Sequence, residues 1–110
     1  MKITHTLAIS SIVLIFGSPV SRVMAADAQE GKALYTKNCA SCHGADGKGN
    51  PAMAKALGDK GLNIVSKEAK QMSDEQILKI IADGAGKMPG SKLSKAEQKQ
   101  MLDYTRSLQK

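Results

Sequence analysis

The apolar positions of the chain recur at helical spacing. Residues 73–84 and 94–108 each begin with a Ser that is followed three positions later by Gln or Glu, and apolar side chains then recur three and four positions apart. Such a capping box marks the N-terminus of a helix, because each side chain accepts the backbone amide proton of the other residue. The pattern predicts two amphipathic helices, the first of which ends at Gly84.

A third helix is predicted from Asp27 to about Lys37, where Asp27 and Glu30 form a variant of the same box. It is followed by a glycine-rich stretch, residues 44–61, in which we expect a helical turn at Ala52–Leu57. No segment alternates apolar and polar residues with β-branched enrichment, so no sheet is expected. The predicted class is all-α, with three main helices joined by long irregular connections.

The first 25 residues have the pattern of a secretory leader. Lys2 precedes a mostly apolar run, Leu7–Phe16, which is broken by Gly17-Ser18-Pro19. Val23-Met24-Ala25 then supplies compact side chains at the positions that a signal peptidase reads. We therefore predict cleavage after Ala25 and export of a single domain, residues 26–110, to the periplasm.

An uncleaved membrane anchor from Leu7 to Met24 is the alternative to a leader. Pro19 and Arg22 lie inside this segment, and the apolar run alone is about half of the roughly 20 residues that a spanning helix needs. We expect no stable membrane insertion. The exported domain is small and thinly supplied with large apolar residues, so it would be marginally stable without a metal, a disulfide or a cofactor.

The residues that carry chemistry are concentrated in Cys39-Ala40-Ser41-Cys42-His43. Two cysteines three apart near a helix end place both sulfurs on one side of a turn, and the adjacent histidine presents its imidazole to a different atom. This arrangement suits covalent attachment of haem c, in which Cys39 and Cys42 form thioethers with the two vinyl groups and His43 binds the iron.

Three other interpretations fit the motif less well. A disulfide between two cysteines this close would remove little chain entropy. A thioredoxin-like redox pair would begin a helix in an α/β fold with flanking aromatic and proline residues, and here the residues directly beside the cysteines, Asn38 and His43, are not of this kind. A structural zinc site needs four ligands, whereas residues 26–110 contain two cysteines and one histidine. Haem attachment is therefore the favoured interpretation.

Over nearly all of residues 26–110 the sequence resembles the small bacterial class I c-type cytochromes, which carry one haem. In that family the attachment motif follows the first helix, as it does here. A glycine and an aromatic residue four apart on that helix pack against an aromatic residue on the last helix, and Gly31, Tyr35 and Tyr104 match these positions. The resemblance implies a near-perpendicular helix crossing, with loops wrapped around the haem.

A methionine is the expected sixth iron ligand, because residues 26–110 contain no second histidine. Met101 is on the apolar face of the last helix, and Met72 precedes a helix cap. Met88 lies in Gly84-Ala85-Gly86-Lys87-Met88-Pro89-Gly90, where glycines permit close approach to the porphyrin. The family also presents its distal ligand as Gly-x-x-Met-Pro. We predict Met88 as the ligand, with Met53 as the main alternative.

The ring N–H of His43 that does not face the iron needs a hydrogen-bond acceptor. The resemblance implies a backbone carbonyl in a proline-containing loop soon after the motif, and Pro51 is the matching residue. Lysines, Asn63 or backbone amides are expected to solvate the haem propionates.

The sequence carries a net charge of +6, and many lysines fit the solvated faces of helices. Four of them nevertheless fall in loops expected to surround the haem edge, where they would steer the protein to acidic patches on redox partners: Lys48, Lys55, Lys87 and Lys92.

The predicted function is one-electron transfer by a monomeric carrier that is not itself an enzyme and does not bind nucleic acid. The motif is also compatible with two other functions. One is a haem gas sensor or peroxide-reactive cytochrome with an open distal site, and the other is the haem-carrying subunit of a larger oxidoreductase.

Overall fold

The computed structural model describes residues 20–110, and the surroundings of side chains from Asp27 onward. The leader prediction falls mostly on residues 1–19, which lie outside the described part. The elements are six helices and one pair of two-residue strands, in this order: α1 Val20–Asn38, α2 Ala40–His43, α3 Pro51–Leu57, α4 Lys67–Gln71, α5 Asp74–Asp83, β1 Gly84–Ala85, β2 Met88–Pro89 and α6 Lys95–Leu108.

Both serine capping boxes are confirmed. The Ser73 hydroxyl accepts from the Gln76 amide at 3.2 Å, and the Gln76 side chain accepts from the Ser73 amide at 2.8 Å. The same reciprocal pair joins Ser94 and Glu97 at the start of α6. Helix α5 ends at Asp83 and is capped by Gly84, the predicted stop, where φ is +80°. The helical turn at Ala52–Leu57 is also confirmed, as α3.

The predicted start of the first helix at Asp27 is wrong, because α1 already begins at Val20. Residues 20–26 contain no Gly or Pro and include two alanines, so helix propensity continues through the expected cap. The Asp27 carboxylate instead lies 3.4 Å from the Gln100 amide nitrogen on α6.

The predicted leader cleavage after Ala25 falls within α1. No helix in residues 20–110 is both long enough and apolar enough to cross a bilayer.

The expectation of no sheet is also wrong, although the all-α class is confirmed. Strands β1 and β2 form an antiparallel ladder that pairs Gly84 with Pro89 and Ala85 with Met88. A ladder of two residues on each side is too short to produce an alternating pattern. Only glycine fits at position 84, because a Cβ atom there would collide with the Met88 carbonyl.

Helices α1 and α6 cross at Gly31. A Cβ atom at this position would lie 2.5 Å from the backbone oxygen of Gln100, so the missing side chain permits the close approach. Next to the crossing, the rings of Tyr35 and Tyr104 pack with their centroids 5.2 Å apart and their planes tilted by 53°. The core continues from this pair to α5 through Ile77, Ile81, Met101 and Leu102.

Gly31→Ala tests the close crossing. Helix propensity alone would make this substitution stabilising by about 0.5–1 kcal/mol, whereas the steric conflict with Gln100 should lower the free energy of unfolding by about 1–3 kcal/mol. Chemical denaturation of the two proteins measures the difference. Gln29→Ala, at an exposed position on α1, is the control and should change stability by less than about 0.5 kcal/mol. A stabilised Gly31→Ala protein would contradict the crossing.

Candidate haem-attachment site

The attachment motif forms a single helical turn between α1 and the following loop. The amide of His43 donates to the Cys39 carbonyl at 2.9 Å, and the amide of Cys42 donates to the same carbonyl at 3.2 Å. Both cysteines are free and half-buried, and His43 is buried with 8% of its surface exposed. The turn therefore carries two unpaired thiols and a sheltered imidazole.

Cys39 lies at the edge of the core. Its Sγ is 3.5 Å from the Met101 Sδ on α6, and burial, with a smaller contribution from Cys42, raises the pKa of the Cys39 thiol to about 11. Met101 is 1% exposed, so it packs in the core, as its place on the apolar face of the last helix indicates. The contact holds the first cysteine of the motif against the last helix.

The acceptor for the His43 side chain is the carbonyl of Leu62, at 2.8 Å from Nδ1. This arrangement corrects the expectation that Pro51 supplies the acceptor. Pro51 begins α3, where backbone carbonyls are directed along the helix to amides four residues later. Because the Leu62 carbonyl can only accept, Nδ1 carries the proton and Nε2 keeps its lone pair for a metal.

Asn50 supports the candidate site, and the sequence patterns assigned it no role. Its backbone amide donates to the Cys42 carbonyl and its side-chain Nδ2 donates to the Ser41 carbonyl, both at 2.9 Å. Its Oδ1 accepts from Ala52 at the start of α3. Asn50 therefore joins the attachment turn to the next helix. An Asn directly before a Pro is a recognisable N-cap signal that could have identified it.

Tyr35 supports the loop that follows His43. Its hydroxyl donates to the Gly44 carbonyl at 2.6 Å, and its side chain is 1% exposed. Burial, and to a lesser extent the neighbouring Cys39, raises the pKa of Tyr35 above its usual range. The same aromatic side chain thus packs at the helix crossing and fixes the backbone beside the histidine.

The predicted distal ligand, Met88, lies on β2, half-buried and paired with Ala85. The backbone is crowded before and after Met88. A Cβ atom on Gly84 would collide with the Met88 carbonyl, and one on Gly90 would lie 2.7 Å from the Ala82 carbonyl. The main alternative, Met53, is half-buried in α3, and Met72 is half-buried after α4. Met88 as the iron ligand stays a prediction.

The four lysines of the predicted docking surface are all exposed. Lys48 and Lys55 line a cavity of about 630 Å³ that also borders Leu62 and Asn63. The Lys87 Nζ lies 3.4 Å from the carbonyl of Leu57 at the end of α3. Lys48, Lys55 and Lys87 therefore gather around α3, while Lys92 follows the strand pair.

Residues 26–104 match the family model described as cytochrome c oxidase, cbb3-type, subunit III. The chain belongs to this cytochrome c family. It is also 53% identical over 38 residues to the cbb3-type cytochrome c oxidase subunit FixP of Rhizobium meliloti (strain 1021). That match covers 30% of the chain and 13% of FixP, so the chain spans only a small part of this relative.

Membership of the family establishes covalent haem c as the cofactor and haem-based electron transfer as the general activity. The residues present fit the group. Two free thiols lie on one turn, and a histidine with its Nδ1 proton engaged leaves Nε2 for iron. In the described part of the chain, no group of three or more His, Cys, Asp and Glu side chains could hold a separate metal ion.

Replacement of both Cys39 and Cys42 by Ala, with export intact, should leave little folded protein. The buried apolar side chains of the described residues number six, so the fold depends on the porphyrin to complete its core. Circular dichroism and thermal unfolding of the exported variant measure the loss. The wild-type chain purified with its haem is the control. A cooperative helical fold without haem would show that the cofactor is not part of the core.

Proposed function

We propose that the chain is a soluble periplasmic electron carrier whose single haem iron is bound by His43 and Met88. The hydrogen bond from His43 to the Leu62 carbonyl, on a turn that also carries both thiols, is the observation that supports this most strongly. When bound, the haem supplies a centre that accepts and releases one electron. Its thioethers would be formed by Cys39 and Cys42.

The chain's own residues would control the iron in two ways. His43 is buried, and its bond to Leu62 holds the ring and increases the basicity of Nε2. The Met88 thioether favours the ferrous state and so raises the reduction potential, as does burial in apolar surroundings. If His43 and Met88 both hold the iron, no site on it would remain for a substrate, and the protein would carry electrons without catalysing a reaction itself.

The proposal includes removal of residues 1–25 and a monomeric domain of residues 26–110. The apolar run and the small residues before Ala26 support cleavage. The partners would be redox proteins that present acidic patches to the lysines around α3.

A second candidate function is that of a haem-carrying module in a larger oxidase. The family description and the name of FixP favour it. The native chain, isolated from its own cells, distinguishes the two. A free carrier should be released with the periplasmic fraction by osmotic shock, whereas an oxidase module should remain with membranes through a high-salt wash and co-purify with haem-containing subunits after detergent extraction.

Met88→Ala tests the distal ligand. Loss of the thioether should abolish the ferric methionine-to-iron charge-transfer band, lower the reduction potential and allow the ferrous protein to bind carbon monoxide. Visible spectroscopy and redox titration measure these changes. Met53→Ala, in which another half-buried methionine is removed, should leave the band intact. If the two variants behave in the opposite way, the ligand is Met53. Carbon monoxide binding by the wild type would favour an open iron site.

Lys87→Glu tests electrostatic docking. Surface charges act mainly on encounter, so reversal of Lys87 should slow electron transfer to the native partner at low salt. The effect should shrink once the Debye length falls to about 8 Å at physiological ionic strength. Stopped-flow kinetics over a salt series measures it. Lys110→Glu, at an exposed position beyond the end of α6, makes the same charge change and should matter much less. If the rate of electron transfer depends equally on salt concentration in both variants, the positive charge is a general surface property and Lys87 is not part of a docking surface.

A further inference from the structure

The carbonyl that accepts from His43 belongs to a short segment, residues 62–65, which is held from two sides. On one side the amide of Ile64 donates to the Gly47 carbonyl at 2.8 Å. On the other side the Ile64 carbonyl accepts from the Nε2 of Gln109 at 2.7 Å. Leu62 and Ile64 are two residues apart, so a shift at Ile64 is transmitted to the Leu62 carbonyl through about 7 Å of backbone.

Gln109 is itself oriented by Arg106. The Nη1 of Arg106 donates to the Gln109 Oε1 at 2.9 Å, so the opposite end of the same amide, Nε2, faces Ile64. The guanidinium is fixed in turn by Asp74, whose Oδ1 accepts from Nε at 2.9 Å and from Nη2 at 2.8 Å. Nη2 also donates to the Met72 carbonyl at 2.6 Å.

The consequence is a continuous set of hydrogen bonds from the start of α5, through the end of α6, to the segment beside the histidine. The Arg106 side chain is 28% exposed, and its planar fork engages Asp74 and Gln109 at the same time, which a lysine ammonium could not reproduce. None of these groups touches the proposed iron ligand directly.

We propose that Gln109, oriented by Arg106, is a positioning residue for the Leu62 carbonyl and thereby sets the strength of the His43 Nδ1 hydrogen bond. The inference rests on the proposed role of His43 as an iron ligand. A firmly held Leu62 carbonyl strengthens the hydrogen bond that it accepts from Nδ1, and this makes Nε2 a stronger electron donor to the iron. A stronger electron donor favours the ferric state and lowers the reduction potential. When Gln109 no longer holds Ile64, the Leu62 carbonyl moves away from the His43 Nδ1. The hydrogen bond weakens, and the reduction potential of the haem rises.

Gln109→Leu in the haem-loaded protein is the first test, because it removes the amide donor without changing charge. The reduction potential should shift upward, and the His43 Nδ1 proton should exchange with solvent about fivefold faster, as expected for the loss of one hydrogen bond of about 1 kcal/mol. Arg106→Lys keeps the charge but loses the fork, and it should shift both quantities in the same direction by a smaller amount. Redox titration and NMR of the ring proton provide the readouts.

Ser94→Ala is the matched control, since it weakens α6 at its other end by removing the helix cap. It should leave both the potential and the proton exchange at wild-type values. The inference is overturned if Gln109→Leu leaves them unchanged, or if Ser94→Ala shifts them equally. Failure of the His43 assignment, on which the inference rests, would be recognised separately, because the wild-type haem protein would then show no histidine-ligated iron.

Discussion

The close crossing of α1 and α6 at Gly31 is the constraint on which the site depends. Gly31, Tyr35 and Cys39 are four residues apart and so share one face of the chain as it leaves α1. The crossing brings this face against α6, where Tyr35 meets Tyr104 and Cys39 meets Met101. The Tyr35 hydroxyl donates to the carbonyl of Gly44, the residue that follows His43. One helix contact thus determines where the attachment turn lies.

The turn itself is held mainly by backbone carbonyls that find donors in the next loop. The carbonyls of Ser41 and Cys42 accept from Asn50, and that of His43 accepts from Gly49 at 2.7 Å. These bonds close residues 44–50 into a compact loop and direct the chain into α3. The same loop contributes Gly47, which holds Ile64 and with it the segment that carries the His43 acceptor. The site is therefore supported by polar backbone contacts as much as by apolar packing.

The parts of the fold that follow local chemical rules were predictable from sequence. The boxes at Ser73 and Ser94 act through residues three positions apart, and the attachment motif lies within five consecutive residues. The acceptor for His43 was not predictable in this way, because Leu62 lies 19 positions further along the chain and is brought back to the histidine by a segment that includes α3. The start of α1 was missed because favourable propensity overrides the Asp27 cap. The strand pair depends on the close approach of the Met88 backbone to Gly84. Such a contact requires no alternation of apolar and polar residues, so the sequence shows no strand pattern there.

The central claim is that Cys39 and Cys42 hold one haem covalently. Intact mass measurement of the purified native chain under denaturing conditions, together with its pyridine haemochrome spectrum, tests this most directly. The account predicts a mass increase of one haem per chain and a haemochrome spectrum of the type given by two saturated vinyl groups. A chain that loses its haem on denaturation, or that carries the mass of the polypeptide alone, would contradict the account.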